Sequence, residues 1–256
     1  MEITPAINII NSIFASDEVQ DSLGNSHKLN SNVDLEEGDF LQKLIISNNF
    51  SKSIEIGCAY GISSLFISDA IHKNMGKHLI IDPNQSTDWK GIGIQNLKKS
   101  GLTNFRIIEK PSEVALPELF IDNETFDFAF IDGWHTFDHT LIDFFYINKM
   151  LRPGGIVVID DIGMTGLNKL SRFIYNYPCY QYEGSVKVSF SKKRAVLDSL
   201  KSIIRGVAKC LPSKVRSEIF SGNLLTSDST LGLNASMIAF KKISKDERPW
   251  NWHEKF

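Results

Sequence analysis

The chain has 256 residues, 42% hydrophobic and 23% charged, the profile of one large soluble globular domain with a substantial core. Its formal net charge of −2 gives no global attraction to nucleic acid or an anionic membrane, and no nucleic-acid motif is visible. The three cysteines, Cys58, Cys179 and Cys210, are scattered and without metal-ligand spacing, which argues against a disulfide framework or a zinc site.

The opening MEITPAINII lacks a basic start and a clean apolar run before a cleavage site, and no later stretch has the length to cross a bilayer. The expectation is a cytoplasmic protein with reduced thiols. Residues 1–50 read as a helical N-terminal extension or lid, in which LEEGDFLQKLII has the apolar spacing of a helix packed on one face. From Ser53 the pattern changes. SIEIG, HLIIDP, FRIIEK, FDFAFID and GIVVIDD are apolar nearly throughout, and helical stretches such as ISSLFISDAIHK and TFDHTLIDFFYINKML separate them. Such strands predict a mainly parallel sheet covered on both faces, a doubly wound Rossmann-like α/β domain over residues 51–256. Thr136 is placed to cap the long helix, with Asp138 in its first turn, and RPGG at 152–155 is expected to stop it before the next strand. Beyond Asp161 come a helix around LNKLSRFIYN and two further strand candidates, YQYEGSVKVSF and ASMIAFKKI.

Between those two strands, residues 191–230 form an insertion too long for a hairpin. Leu197, Leu200, Ile204, Val207 and Leu211 recur there at helical spacing among many lysines and arginines. An amphipathic helix packed on its own domain is the first reading, and a surface for a partner, an acidic substrate or a membrane is the alternative. In the aromatic tail RPWNWHEKF, Trp250 and Trp252 are expected to pin the chain end to the domain.

In an open α/β sheet, ligands collect at the carboxyl ends of the strands. SIEIGCAYGISS puts Glu55 in the first strand and Gly57 and Gly61 in the turn, where the backbone can approach a ligand and the next helix begins with free N–H groups. Asp82, ending LIIDP, is placed to accept both hydroxyls of a ribose. Ser112, after the third strand, and Trp89 are candidates for the adenine side of the same nucleotide cofactor. Asp132 ends the fourth strand, while Asp160 and Asp161 end the fifth. Three carboxylates on one edge of the cleft repel one another unless a cation or protons intervene, and hard oxygen ligands favour Mg²⁺.

EIGCAYGISS resembles the ExGxxxGxS motif of class I S-adenosylmethionine-dependent methyltransferases of the catechol and caffeoyl-coenzyme A O-methyltransferase kind, and LIIDP resembles their second motif. It departs from the GxGxxG of dinucleotide enzymes. The stretch IDGWHTFDHTLIDFFYINKMLRPGGIVVIDD is more similar still to the sugar O-methyltransferases of macrolide and aminocoumarin pathways. The resemblance implies S-adenosylmethionine held by Glu55, Gly57, Ala59, Tyr60, Gly61, Ser63, Ser64, Asp82, Trp89, Ser112 and Asp132. It further implies Mg²⁺ on Asp132, Asp160 and Asp161, and His135 as general base beside Asp132. The implied partner is a small-molecule acceptor, a sugar or glycosylated metabolite, with further copies of the chain left open. A metal-independent N- or O-methyltransferase and a non-catalytic cofactor-binding subunit remain the alternatives.

Overall fold

The computed structural model describes residues 4–187 and 226–254, together with isolated positions between 200 and 223. The N-terminal part comprises α1 (Pro5–Ser16), a hairpin of β1 (Glu18–Gln20) and β2 (Ser26–Lys28), and α2 (Leu35–Ser47). Then come β3 (Lys52–Ile56), α3 (Ile62–Lys73), β4 (Lys77–Ile81), α4 (Ile92–Lys99), β5 (Phe105–Ile108) and α5 (Ser112–Ile121). The second half holds β6 (Phe126–Ile131), α6 (Phe137–Met150), β7 (Leu151–Ile159), α7 (Thr165–Ile174), β8 (Tyr180–Lys187) and β9 (Ala235–Lys242). None of the described helices is long and apolar enough to cross a membrane.

β3 to β9 make one seven-stranded sheet in the order β5-β4-β3-β6-β7-β9-β8, in which β9 runs opposite to the other six strands. The predicted doubly wound sheet is therefore present. Its central strands are apolar on both sides because both sides are covered. Phe128, Phe130, Ile156 and Val158 face a core shared with α1, α2 and α3, while Ala129, Ile131, Val157 and Ile159 face one shared with α5, α6 and α7. Each large apolar side chain so buried contributes roughly 1.5–3 kcal/mol. Residues 5–47 join the first core through the fully buried Ile10, Leu41 and Ile45. α2 starts where DLEE provides a capping box: Asp34 accepts from the Glu37 N–H at 2.9 Å and Glu37 accepts from the Asp34 N–H at 2.8 Å.

Several local expectations need correction. RPGG does not lie ahead of the strand; β7 begins at Leu151, which pairs directly with Phe126, and the exposed RPG follows where the ladder register shifts. Thr136 occupies the N-cap of α6 without making the capping bond, because its hydroxyl engages Asp138 and His139 instead. Only one tail tryptophan pins the chain: Trp252 packs on Tyr177 and Phe173 with the Arg248 guanidinium 4.4 Å from its ring, whereas Trp250 is 97% exposed. The amphipathic helix expected in the insertion lies outside the described residues, save scattered positions.

The carboxyl ends of the strands are held in line by one repeated bond. The residue after each strand donates its N–H to the last carbonyl of the neighbouring strand: Gly57 to Ile81 (2.9 Å), Asp82 to Ile108 (3.1 Å), Asp132 to Ile56 (2.9 Å) and Asp160 to Ile131 (3.1 Å). At the β3 end this demands glycine. Gly57 has φ +91°, and a Cβ there would sit 2.0 Å from the Asp132 carbonyl oxygen. Behind the β6 end, α6 buries Asp143, whose carboxyl is pushed up to about 6 by desolvation, partly offset by a hydrogen bond from Ser112.

Gly57→Ala is expected to lower stability in urea unfolding by clearly more than the ~1–2 kcal/mol of left-handed strain alone. Gly101→Ala, at φ +75° with open space beside it, should cost no more than that strain, and equal losses would contradict the close approach. Because the folded state binds the Asp143 proton more tightly than the unfolded chain, this group's contribution to stability is greatest below about pH 4 and is lost as pH rises to about 6. Asp143→Asn should therefore be more stable than the parent by roughly 2 kcal/mol at pH 7.5, with the difference shrinking towards pH 4.

Candidate functional site

The strand order reverses between β3 and β6, and a cavity of about 770 Å³ opens there at the carboxyl ends of the parallel strands. That volume falls within the ~300–1,000 Å³ of small-molecule clefts.

At one end the β3–α3 turn is left-handed three times, at Gly57, Ala59 (φ +47°) and Gly61 (φ +81°), which exposes its backbone to the cavity. Asp82 braces this turn. Its Oδ2 accepts from the N–H groups of Cys58 (3.1 Å) and Ala59 (3.0 Å) and from Gln85 Nε2 (2.9 Å), and its Oδ1 accepts from the Asn84 N–H at 2.8 Å. A carboxylate has about four acceptor positions across its two oxygens, so Oδ1 retains capacity for a ligand hydroxyl. Ala59, Ser63, Trp89 and Ser112 line the same cavity with Gly57 and Asp82. Trp89 is held edge-on against Tyr60 at 5.1 Å.

Four of the residues expected on the cofactor do not line the cavity. Glu55 lies wholly buried in β3 beneath the turn, where its Oε2 meets His78 Nε2 at 2.9 Å and takes the Ser64 hydroxyl. His78 Nδ1 pairs in turn with Ser53 Oγ at 2.8 Å. Glu55 and Ser64 thus belong to a polar network that joins β3, β4 and α3 under the site. Tyr60 backs Trp89, and Gly61 lets α3 approach Gly93 closely.

At the other end, the turn after β6 brings Asp132 and His135 to the cavity wall, and the β7 end brings Asp160 and Asp161. His135 Nε2 lies 3.1 Å from Asp132 Oδ1 and 3.1 Å from Asp161 Oδ2, and one potential ligand atom from each of the three residues falls within 4.8 Å of the others. Two of the three expected carboxylates therefore meet together with the expected base. The third, Asp160, is buried beside them and accepts the Asp161 N–H at 2.7 Å. Asp161 adopts φ +51° to make that turn.

This end of the cleft is short of positive charge. Desolvation, opposed by the bond to His135, pushes the Asp132 carboxyl up to about 6. Asp160 is raised well above the usual carboxylate range by burial and by the charges of Asp132 and Glu37. His135 is raised by its hydrogen bond to Asp132. An oxygen-rich donor set that is costly to leave unneutralised suits a divalent cation.

Sequence reasoning missed the wall contributed by the N-terminal segment: Ser31, Asn32 and Glu37 line the cavity, as do Glu113 and Met164 elsewhere. The helix was legible in the apolar spacing of LEEGDFLQKLII, but nothing local showed that α2 starts at the cleft. His139 also lines the cavity.

Residues 54–162 match the family model described as a methyltransferase domain. The probable caffeoyl-CoA O-methyltransferase 1 of Dictyostelium discoideum is 34% identical over 134 residues, 50% of this chain and 54% of that protein. The flavonoid 3',5'-methyltransferase of Vitis vinifera is 29% identical over 138 residues, 51% of this chain and 55% of that protein. The chain thus spans about half the length of the curated relatives it matches. Among solved structures, an O-methyltransferase from Bacillus cereus in complex with SAH shares the fold with a TM-score of 0.57 at 16% identity, covering 72% of this chain and 84% of that one. Residues 54–162 are accordingly similar to a methyltransferase domain, and the chain shares the fold of that O-methyltransferase.

Proposed function

We propose that the protein transfers a methyl group from S-adenosylmethionine to a hydroxyl of a small acceptor, a sugar or glycosylated metabolite, with the aid of a divalent cation. The observation that carries the reading is the pairing of two sites in one cleft: an exposed-backbone turn braced by a carboxylate, and a carboxylate–imidazole cluster beside it.

S-adenosylmethionine, when bound, supplies a methyl group on an electrophilic sulfonium. The protein's part is to hold it. The turn from Gly57 to Ala59 offers close backbone approach, Asp82 Oδ1 offers a ribose acceptor, and Trp89 and Ser112 bound the adenine side. Asp132 and Asp161, with Asp160 behind them, would hold Mg²⁺, which supplies a lowered pKa to an acceptor hydroxyl. His135 then serves as base. Its Nε2 faces Asp132 and Asp161, so a proton taken there is stabilised by adjacent carboxylates. Backbone hydrogen bonds tie both strand ends to their neighbours, and orientation of the acceptor oxygen in line with the sulfonium methyl accounts for much of the expected rate, since effective molarities for such placement reach about 10⁵–10⁸ M.

The test is methyl transfer assayed with and without chelator on purified protein, using a panel of hydroxylated acceptors. Chelation and Asp161→Ala, a change at a half-exposed side chain, should each reduce turnover by about 10²-fold or more while S-adenosylhomocysteine affinity stays within about twofold. His135→Gln should lower kcat by about 10²–10⁴-fold with little change in KM for the methyl donor. Full activity after both chelation and Asp161→Ala would instead establish a metal-independent transferase.

A further inference from the structure

Gln85 lies three residues beyond Asp82, on the loop that carries Trp89 to the cavity, and its side chain is wholly buried. Its Nε2 donates to the Ala59 carbonyl at 2.8 Å and to Asp82 Oδ2 at 2.9 Å. Both are acceptors, so the amide nitrogen has to face them, and Oε1 is left buried without a partner among the described residues. Gly93 makes room for this arrangement: a Cβ there would fall 3.0 Å from Gln85 Oε1, 2.9 Å from Cys58 Sγ and 2.6 Å from the Ala59 carbonyl oxygen. The main chain is anchored as well, since the Gln85 carbonyl accepts the Gly91 N–H at 2.6 Å.

These bonds act on the strained part of the turn. Ala59 is its left-handed residue that is not glycine, at φ +47°, a conformation that costs energy for any residue with a Cβ. Asp82 accepts the N–H on one side of Ala59 at 3.0 Å, Gln85 donates to the carbonyl on the other, and Nε2 joins the two partners. The next carbonyl, that of Tyr60, accepts from the buried Asn96 Nδ2 at 3.0 Å. With Oδ2 occupied by Cys58, Ala59 and Gln85, Oδ1 is the Asp82 oxygen that keeps capacity for a ligand. Gln42 makes the same pattern away from the cleft: it is 3% exposed, and its Nε2 donates to the Phe66 carbonyl and to Asp69 Oδ2, both at 3.1 Å.

We propose that Gln85 is a positioning residue for the methyl-donor end of the cleft, its amide holding the β3–α3 turn on Asp82 before a ligand arrives. This rests on the methyltransferase reading. Gln85 does not line the cavity, so it acts through Asp82 and Ala59 rather than by touching the ligand. Binding to a turn already ordered avoids the entropy of ordering it, and removal of the amide returns that cost to the binding step.

The experiment uses the full chain and reads S-adenosylhomocysteine affinity by calorimetry and, without ligand, amide exchange at Cys58 and Ala59 by NMR. Gln85→Met keeps the side chain's length and removes both donated bonds. It should weaken S-adenosylhomocysteine by about tenfold and speed exchange at the two amides by about as much. Gln42→Met removes the matching pair of bonds between α2 and α3, and should leave the affinity within about twofold at a similar loss in Tm. In an Asp82→Asn background Gln85→Met should cost less than about threefold, because the partner through which it acts is altered. Should Gln85→Met not fold, Gln85→Asn, an amide one methylene too short to span both partners, takes its place with the same expectations. Parent-like affinity in the Gln85 variant, an equal loss with Gln42→Met, or an undiminished effect in the Asp82→Asn background would each overturn the proposal. If the parent protein does not bind S-adenosylhomocysteine, the methyltransferase reading falls instead, and unchanged exchange at Cys58 and Ala59 would overturn the positioning role by itself.

Discussion

Four backbone hydrogen bonds, each donated by the first residue beyond a parallel strand to its neighbour's last carbonyl, hold the site together. They fix Gly57, Asp82, Asp132 and Asp160 in one row across the sheet. The row exists because the strands are parallel and in register, and the strands are parallel because both faces of the sheet are buried under helices. Everything chemical in the cleft follows from what side chain, or what absence of one, stands at each place in the row. At Gly57 the backbone comes so close to Asp132 that only glycine fits; at Asp82 a carboxylate collects the amides of the turn; at Asp132 and Asp160 two acids face the opposite end.

The two ends of that row have opposite electrostatic character. The turn end offers backbone N–H groups to a carboxylate that is satisfied, whereas the β6–β7 end gathers acids that burial and mutual repulsion hold above their ordinary range. The N-terminal segment adds to this imbalance, since α2 begins at the cleft with Glu37. A cationic methyl donor and a divalent cation are together the kind of cargo such a wall would stabilise. Among the described lining residues the only basic side chains are histidines, His135 and His139.

Much of this was legible in the residues. Apolar runs at SIEIG, LIID, FDFAFID and GIVVID announced buried parallel strands, and each ended on the residue that the structure places at the cleft. Two of the residues that sequence reasoning put on the cofactor but that do not line the cleft share a cause. Glu55 and Ser64 lie in the motif, yet strand alternation and helix phase turn them inward, Glu55 to His78 and Ser64 to Glu55, and a linear motif carries no phase. Ser31, Asn32 and Glu37 were invisible for the converse reason: their place at the site depends on how α2 packs on α3, a long-range contact with no local signature. RPGG misled because turn residues at a strand's irregular start look the same as a helix stop.

The central claim is that the braced turn between β3 and α3 is the nucleoside end of a methyl-donor site. Calorimetric titration of S-adenosylhomocysteine into the folded protein, beside Asp82→Asn and beside NADH as competitor, tests it most directly. The account predicts binding to the parent protein, a loss of about tenfold or more with Asp82→Asn, in keeping with ~1.5–3 kcal/mol for a hydrogen bond to a charged group, and no displacement by NADH. A folded protein that ignores S-adenosylhomocysteine, or binds it equally well with Asp82→Asn, would contradict the account and leave only the fold.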